Sequence, residues 1–164
     1  MAPFHYFLTP DLAKLEQHVV ERNFFMLYGT RGAGKTTVAL HLLQYTAAKY
    51  HLRPLKLDFN SIDVGTTPVA FWRSVYRKLR GEAERHSIIL PNFHDVAGFV
   101  DAFTFKSLGC ARVLLMLDEF DTLDHAADGI KEQVRAPWHL WRALEWRYLM
   151  PGDPLSYSFV ISVR

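Results

Sequence analysis

Within the ten residues YGTRGAGKTT, positions 28–37, the chain places three glycines, three threonines, a lysine and an arginine. Such a stretch would make a poor core strand and a poor helix interior, because glycine loses more backbone freedom on ordering than any other residue. It follows the continuous apolar run NFFMLYG, residues 23–29, which reads as a strand buried on both faces. It precedes KTTVALHLLQYTAAKY, residues 35–50, where Val38, Leu42 and Tyr45, with Leu43 and Ala47 alongside, recur at helical spacing. A strand, a glycine-rich turn and a helix in this order define a βα unit and aim several main-chain N–H groups at one point.

The spacing Gly29-x-x-x-x-Gly34-Lys35-Thr36 is a complete phosphate-loop pattern in its confirming context. Gly29, Gly32 and Gly34 allow left-handed backbone turns, and Thr30, Arg31 and Ala33 complete the loop whose amides would surround an anion. The helix starting near Lys35 adds the positive end of its dipole. Lys35 would reach the β- and γ-phosphates as a mobile point charge. Thr36 would offer its hydroxyl to Mg²⁺, and Thr37 would lie near the α-phosphate. The expected ligand is ATP with Mg²⁺; no Asn-Lys-x-Asp guanine motif occurs in the chain.

A second run, RVLLMLDEFD at residues 112–121, carries the complementary groups. Its apolar residues predict a central strand that delivers Asp118 and Glu119 to the carboxyl edge of a sheet, where ligands of open α/β folds collect. Asp118 would hold Mg²⁺, which prefers oxygen donors and keeps much of its water. Glu119 would orient and polarise an attacking water. The plain alternative is a solvated acidic cap on a strand; the neighbouring phosphate loop, which needs a metal-binding acid beside it, favours the functional assignment. Asp121 and Asp124 read as surface turn residues. Asp58, at the end of the strand expected in LKLDF, has two open readings, one in the cleft and one structural.

Taken together, LYGTRGAGKTT, the aromatic FW helix and LLMLDEFDTL resemble P-loop NTPases of the additional-strand catalytic-glutamate division, near the AAA+ and STAND ATPases. They resemble, over fewer residues, the ATPase-like domains of fungal and oomycete Crinkler-type proteins. The resemblance implies a three-layer αβα fold with a mostly parallel sheet, and the phosphate-loop strand beside the acidic strand. It also implies ATP and Mg²⁺ as cofactors and a nucleotide-driven conformational change. The expected fold lacks the last strand and the helical lid of that division, which suggests a truncated core and a protein partner or further domain. Arg164 falls where STAND relatives often carry an arginine facing the γ-phosphate.

The remaining sequence fits one domain over residues 1–164, with an amino-terminal helix within 1–22 leading into it. Thr9-Pro10-Asp11 predicts a helix from Pro10 to about Val20, and Thr67-Pro68 predicts another with Phe71, Trp72, Val75, Tyr76 and Leu79 inward. Further helices are expected at Asp95–Leu108 and from Pro137, after a polar loop at residues 124–129, with a last strand in YSFVISV. Net charge +2 and a single cysteine, Cys110, expected to be buried, suit an intracellular protein, cytoplasmic or nuclear, without a signal peptide or membrane span.

Arg73, Arg77, Lys78, Arg80 and Arg85 read as a solvated helix face, so nucleic acid is not indicated. The eight histidines lack metal-finger spacing. Trp141, Leu144 and Tyr148 fit a core stripe and packing is the favoured account, while Trp138 or Trp146 could mark a docking surface for a missing domain or partner; a homo-oligomer is a separate open expectation. Three functions follow: an ATPase, a nucleotide-gated interaction module that binds without efficient hydrolysis, and a small-molecule kinase. The kinase is disfavoured by the absence of an arginine-rich lid segment.

Overall fold

The computed structural model describes residues 10–21, 25–30, 32, 34–104, 106–141 and 155–163. Helix α1 (Pro10–Glu21) leads into strand β1 (Phe25–Thr30), helix α2 (Lys35–Tyr50) and strand β2 (Arg53–Asp58). Helices α3 (Pro68–Arg85) and α4 (Val96–Ala102) precede strand β3 (Val113–Asp118), helix α5 (Asp128–Trp141) and strand β4 (Leu155–Val163). Short 3₁₀ turns at Phe59–Ser61 and Phe120–His125 follow β2 and β3.

The four strands form one sheet in the order β1-β4-β3-β2. β2 and β3 pair in parallel, with Asp58 opposite Asp118. β4 runs antiparallel to both β1 and β3. Three strands therefore point the same way, and the chain has the α/β character expected of it. Two expectations are corrected: β4 separates the phosphate-loop strand from the acidic strand, and it runs against them. An apolar run such as YSFVISV reads the same in either direction, so its pattern marks a strand and is silent on its orientation.

The alternation of β3 builds the two faces. Leu114 and Met116 pack with Leu12, Val19, Ala39, Leu42 and Leu43 of α1 and α2. Val113, Leu115 and Leu117 pack on the other face with Phe71, Trp72, Val75, Leu79, Ile130 and Val134 of α3 and α5. All six β3 side chains are buried, Asp118 included. The indole N–H of Trp72 donates to Gln133 Oε1 at 2.9 Å and ties α3 to α5. On the other layer, Glu16 of α1 accepts from Lys49 Nζ and Tyr50 Oη of α2, each at 2.5 Å. Those two donors hold the Glu16 carboxyl below its ordinary range.

Several local expectations shift. The buried stripe of α2 is Ala39, Leu42, Leu43, Thr46 and Ala47, and Tyr45 is exposed. Thr46 enters the core because its hydroxyl donates to Leu42 O at 2.6 Å, which removes its polar cost. Helix α4 begins where expected, with the Asp95 carboxylate accepting from Gly98 N, but ends at Ala102. There the Thr104 hydroxyl bonds Asp101 O and Ser107, offering the backbone a turn in place of a further helical turn. Helix α5 starts at Asp128, ahead of Pro137, because Ile130 and Val134 already supply a core-facing pair at i, i+4. Cys110 is exposed, in a turn where it and Gly109 both have positive φ. Trp146 and Arg164, and the roles expected of them, lie outside the described residues. Among the described residues no helix is long and apolar enough to cross a membrane, and no three or more His, Cys, Asp or Glu side chains gather into a metal-binding group.

Candidate functional site

The turn after β1 draws on glycine for one reason, backbone angle. Gly32 and Gly34 sit at φ +78° and +80°, where an added Cβ would meet no neighbour but would strain the main chain. Gly34 occupies the N-cap of α2, without a side-chain cap, and its carbonyl accepts the first helical bond, from Val38 N at 2.9 Å. The first-turn N–H groups of a helix have no acceptor within it and point out of its amino end. No acidic residue sits in the first turn of α2. That end is therefore electropositive and shaped to receive an anion.

Opposite it, β3 delivers Asp118 on the α2 face, in step with Leu114 and Met116. The Thr36 hydroxyl donates to Asp118 Oδ1 at 3.1 Å, joining residues 82 positions apart in sequence. The Glu119 amide also donates to Oδ1, at 3.2 Å. Lys56 Nζ of β2 lies 3.1 Å from Oδ2. Strict alternation would send Glu119 to the opposite face. Instead its backbone turns left-handed, φ 52° and ψ 43°, and Glu119 lines the same cleft as the loop. A left-handed conformation costs a non-glycine residue about 1–2 kcal/mol, and side chains kept in that state cluster at functional sites.

The cleft between these elements has a volume of about 460 Å³ and is lined by Gly32, Gly34, Lys35, Thr36, Thr37, Asn60 and Glu119. That is within the range of small-molecule sites. The structure thus brings Gly32, Gly34, Lys35, Thr36, Thr37, Asp118 and Glu119 to one edge of the sheet. Gly29 and Thr30 end β1 beside it, while Arg31 and Ala33 lie outside the described residues. Asp58 has the structural role: its carboxylate accepts from Asn60 N at 3.0 Å and caps the turn after β2. A separate cavity of about 50 Å³ on the other face is lined only by apolar side chains, among them Phe71, Trp72 and Phe99.

Two residues escape a motif-based reading, one lining the cleft and one paired with Asp118. Asn60 follows β2, and its side-chain oxygen accepts from Thr122 Oγ1 at 3.1 Å, linking the turns after β2 and β3. Its position just past a strand end, at the edge where the acids emerge, was the available signal. Lys56 is the other; it alternates with Leu55 and Leu57, so it had to share the Asp118 face.

Mg²⁺ fits these donors. At the 2.0–2.1 Å bond length of an octahedral site, two neighbouring oxygen ligands lie about 2.9 Å apart. The Thr36 and Asp118 oxygens stand 3.1 Å apart, so one ion could be shared by both with little movement.

A family model described as AAA domain matches residues 18–149. The match spans most of the chain, which therefore belongs to the AAA domain family, a family of nucleotide-binding P-loop NTPases. No match was found among the curated proteins, and none among the solved structures.

Proposed function

We propose that this chain binds ATP together with Mg²⁺ and hydrolyses it, coupling the nucleotide state to a change of conformation. The observation that supports this most is the 3.1 Å hydrogen bond from Thr36 Oγ1 to Asp118 Oδ1. It brings a phosphate-loop hydroxyl and a buried carboxylate within the span of one metal ion. Bound Mg²⁺ would neutralise charge on the phosphate oxygens as the terminal bond breaks.

The chain's own groups divide the remaining work. Main-chain amides at the start of α2 hold the phosphates, and Lys35 neutralises the terminal ones. Asp118 and Thr36 supply the oxygen donors for the ion. Glu119 accepts a hydrogen bond from the attacking water and directs its lone pair at the γ-phosphorus. Asn60 keeps the turn after β3 aligned through Thr122. Within the family we place the chain near the STAND ATPases, on LYGTRGAGKTT and LLMLDEFDTL.

Lys35→Ala tests the reading directly. It is expected to weaken Mg·ATP binding by about 100-fold, the scale of a lost charge-assisted phosphate contact. Unchanged affinity, measured by titration with a fluorescent ATP analogue, would refute the assignment. A second reading is a nucleotide-gated module that retains ATP without efficient hydrolysis. Single-turnover phosphate release separates the two.

A further inference from the structure

We infer that Lys56 is a tethered counter-cation for Asp118 that reserves the divalent-metal position for metal arriving with nucleotide. This rests on the metal-site reading above and adds a residue that the phosphate loop and acidic motif do not include. Asp118 has a side chain only 3% exposed. A carboxylate so buried is costly unless a positive charge or several donors compensate it. Thr36 and the Glu119 amide serve Oδ1, and neither carries charge. The charge at Oδ2 is matched by Lys56 Nζ, 3.1 Å away and 28% exposed.

The placement follows from the sheet. β2 and β3 are parallel with Lys56 opposite Met116 and Asp58 opposite Asp118. Lys56 and Asp118 are thus diagonal neighbours on the α2 face, and the long lysine side chain spans the step. Asp58, the nearer carboxylate in sequence, accepts from Asn60 N in the turn after β2. Lys56 keeps partial contact with solvent, so its ammonium has water to turn to when an ion on Oδ1 takes up the charge of the carboxylate.

The consequence concerns charge. A divalent ion entering alone between Thr36 and Asp118 Oδ1 would stand on the same carboxylate as the Lys56 ammonium, two cations sharing one buried anion. A triphosphate brings more negative charge than the ion brings positive, so the pair enters together where the ion alone does not. Lys56 therefore sets the order of binding and is a positioning residue for Asp118 without touching the nucleotide.

The test uses nucleotide-free protein and Mn²⁺ as the probe, read by electron paramagnetic resonance. Wild type should bind Mn²⁺ weakly, and Lys56→Met should bind it at least about tenfold more tightly, a difference of about 1.4 kcal/mol. Lys56→Met should also melt about 5 °C lower than wild type, with Mn²⁺ restoring the loss in the variant only. Lys56→Arg, which keeps the charge, should behave as wild type in both measurements. Equal Mn²⁺ affinity in wild type and Lys56→Met would overturn the inference, as would equal affinity in a milder Lys56→Gln variant should the methionine variant not fold. Mg·ATP binding by wild type is measured alongside. Its absence would refute the nucleotide assignment, while the Mn²⁺ comparison reports on Lys56 separately.

Discussion

The loop after β1 and the turn after β3 both bend the chain through left-handed backbone, but with different residues. In the loop the bends fall on Gly32 and Gly34, where positive φ carries no penalty. In the turn the bend falls on Glu119, where it does. The difference separates two kinds of contribution. The loop offers main-chain amides, so a side chain there is dispensable and glycine is the economical residue. The turn places a side chain in the cleft, which glycine could not do, and the role proposed for Glu119 gives that strain a purpose.

The largest expected effect sharpens this contrast. Glu119→Gln keeps the shape and the backbone bend, and removes only the capacity of the side chain to activate water. It should retain ATP affinity and lower turnover about 10²–10⁴-fold, measured as phosphate release under saturating nucleotide. A variant with full turnover would break the comparison, since the strained residue would then have no chemical task.

Next in size is Gly34→Ala. No neighbour blocks the added methyl group, so any effect must come from φ +80° at the N-cap. A loss of about 1–2 kcal/mol in denaturant unfolding is expected, with weaker ATP binding as the amide nest distorts. Unchanged stability would show that the loop can relax to another bend.

The smallest effect is the reverse experiment on the turn. Glu119→Gly should be more stable than Glu119→Ala by about 1 kcal/mol, because glycine relieves the left-handed strain and alanine does not. Both should lose turnover alike. Equal stability of the two would mean that the turn carries no stored strain.

The two regions also differed in how far the sequence disclosed them. The loop was legible because its whole signal is local: a strand, glycines at fixed spacing, a lysine and a threonine on one helix start. Asp118 was legible as the end of an apolar run. Its nearness to Thr36, 82 residues away, was legible too, because both were assigned to one Mg²⁺; the Lys56 contact was not, since it depends on the pairing register of β2 with β3. A lysine in a six-residue strand reads as a solvent-facing residue until the opposite strand is known. The direction of β4 was hidden for a similar reason, as strand pairing is a long-range property. The start of α5 was missed because Pro137 suggested a beginning, while the apolar pair Ile130 and Val134 had already committed the preceding residues to helix.

The central claim is that the Thr36 hydroxyl and the Asp118 carboxylate share one Mg²⁺ with a polyphosphate. The most direct measurement is ATP affinity with and without Mg²⁺ in wild type, Thr36→Val and Asp118→Asn. Mg²⁺ should tighten ATP binding at least about tenfold in wild type, a gain of about 1.4 kcal/mol, and should have little effect in either variant. An equal gain in all three proteins would contradict the account.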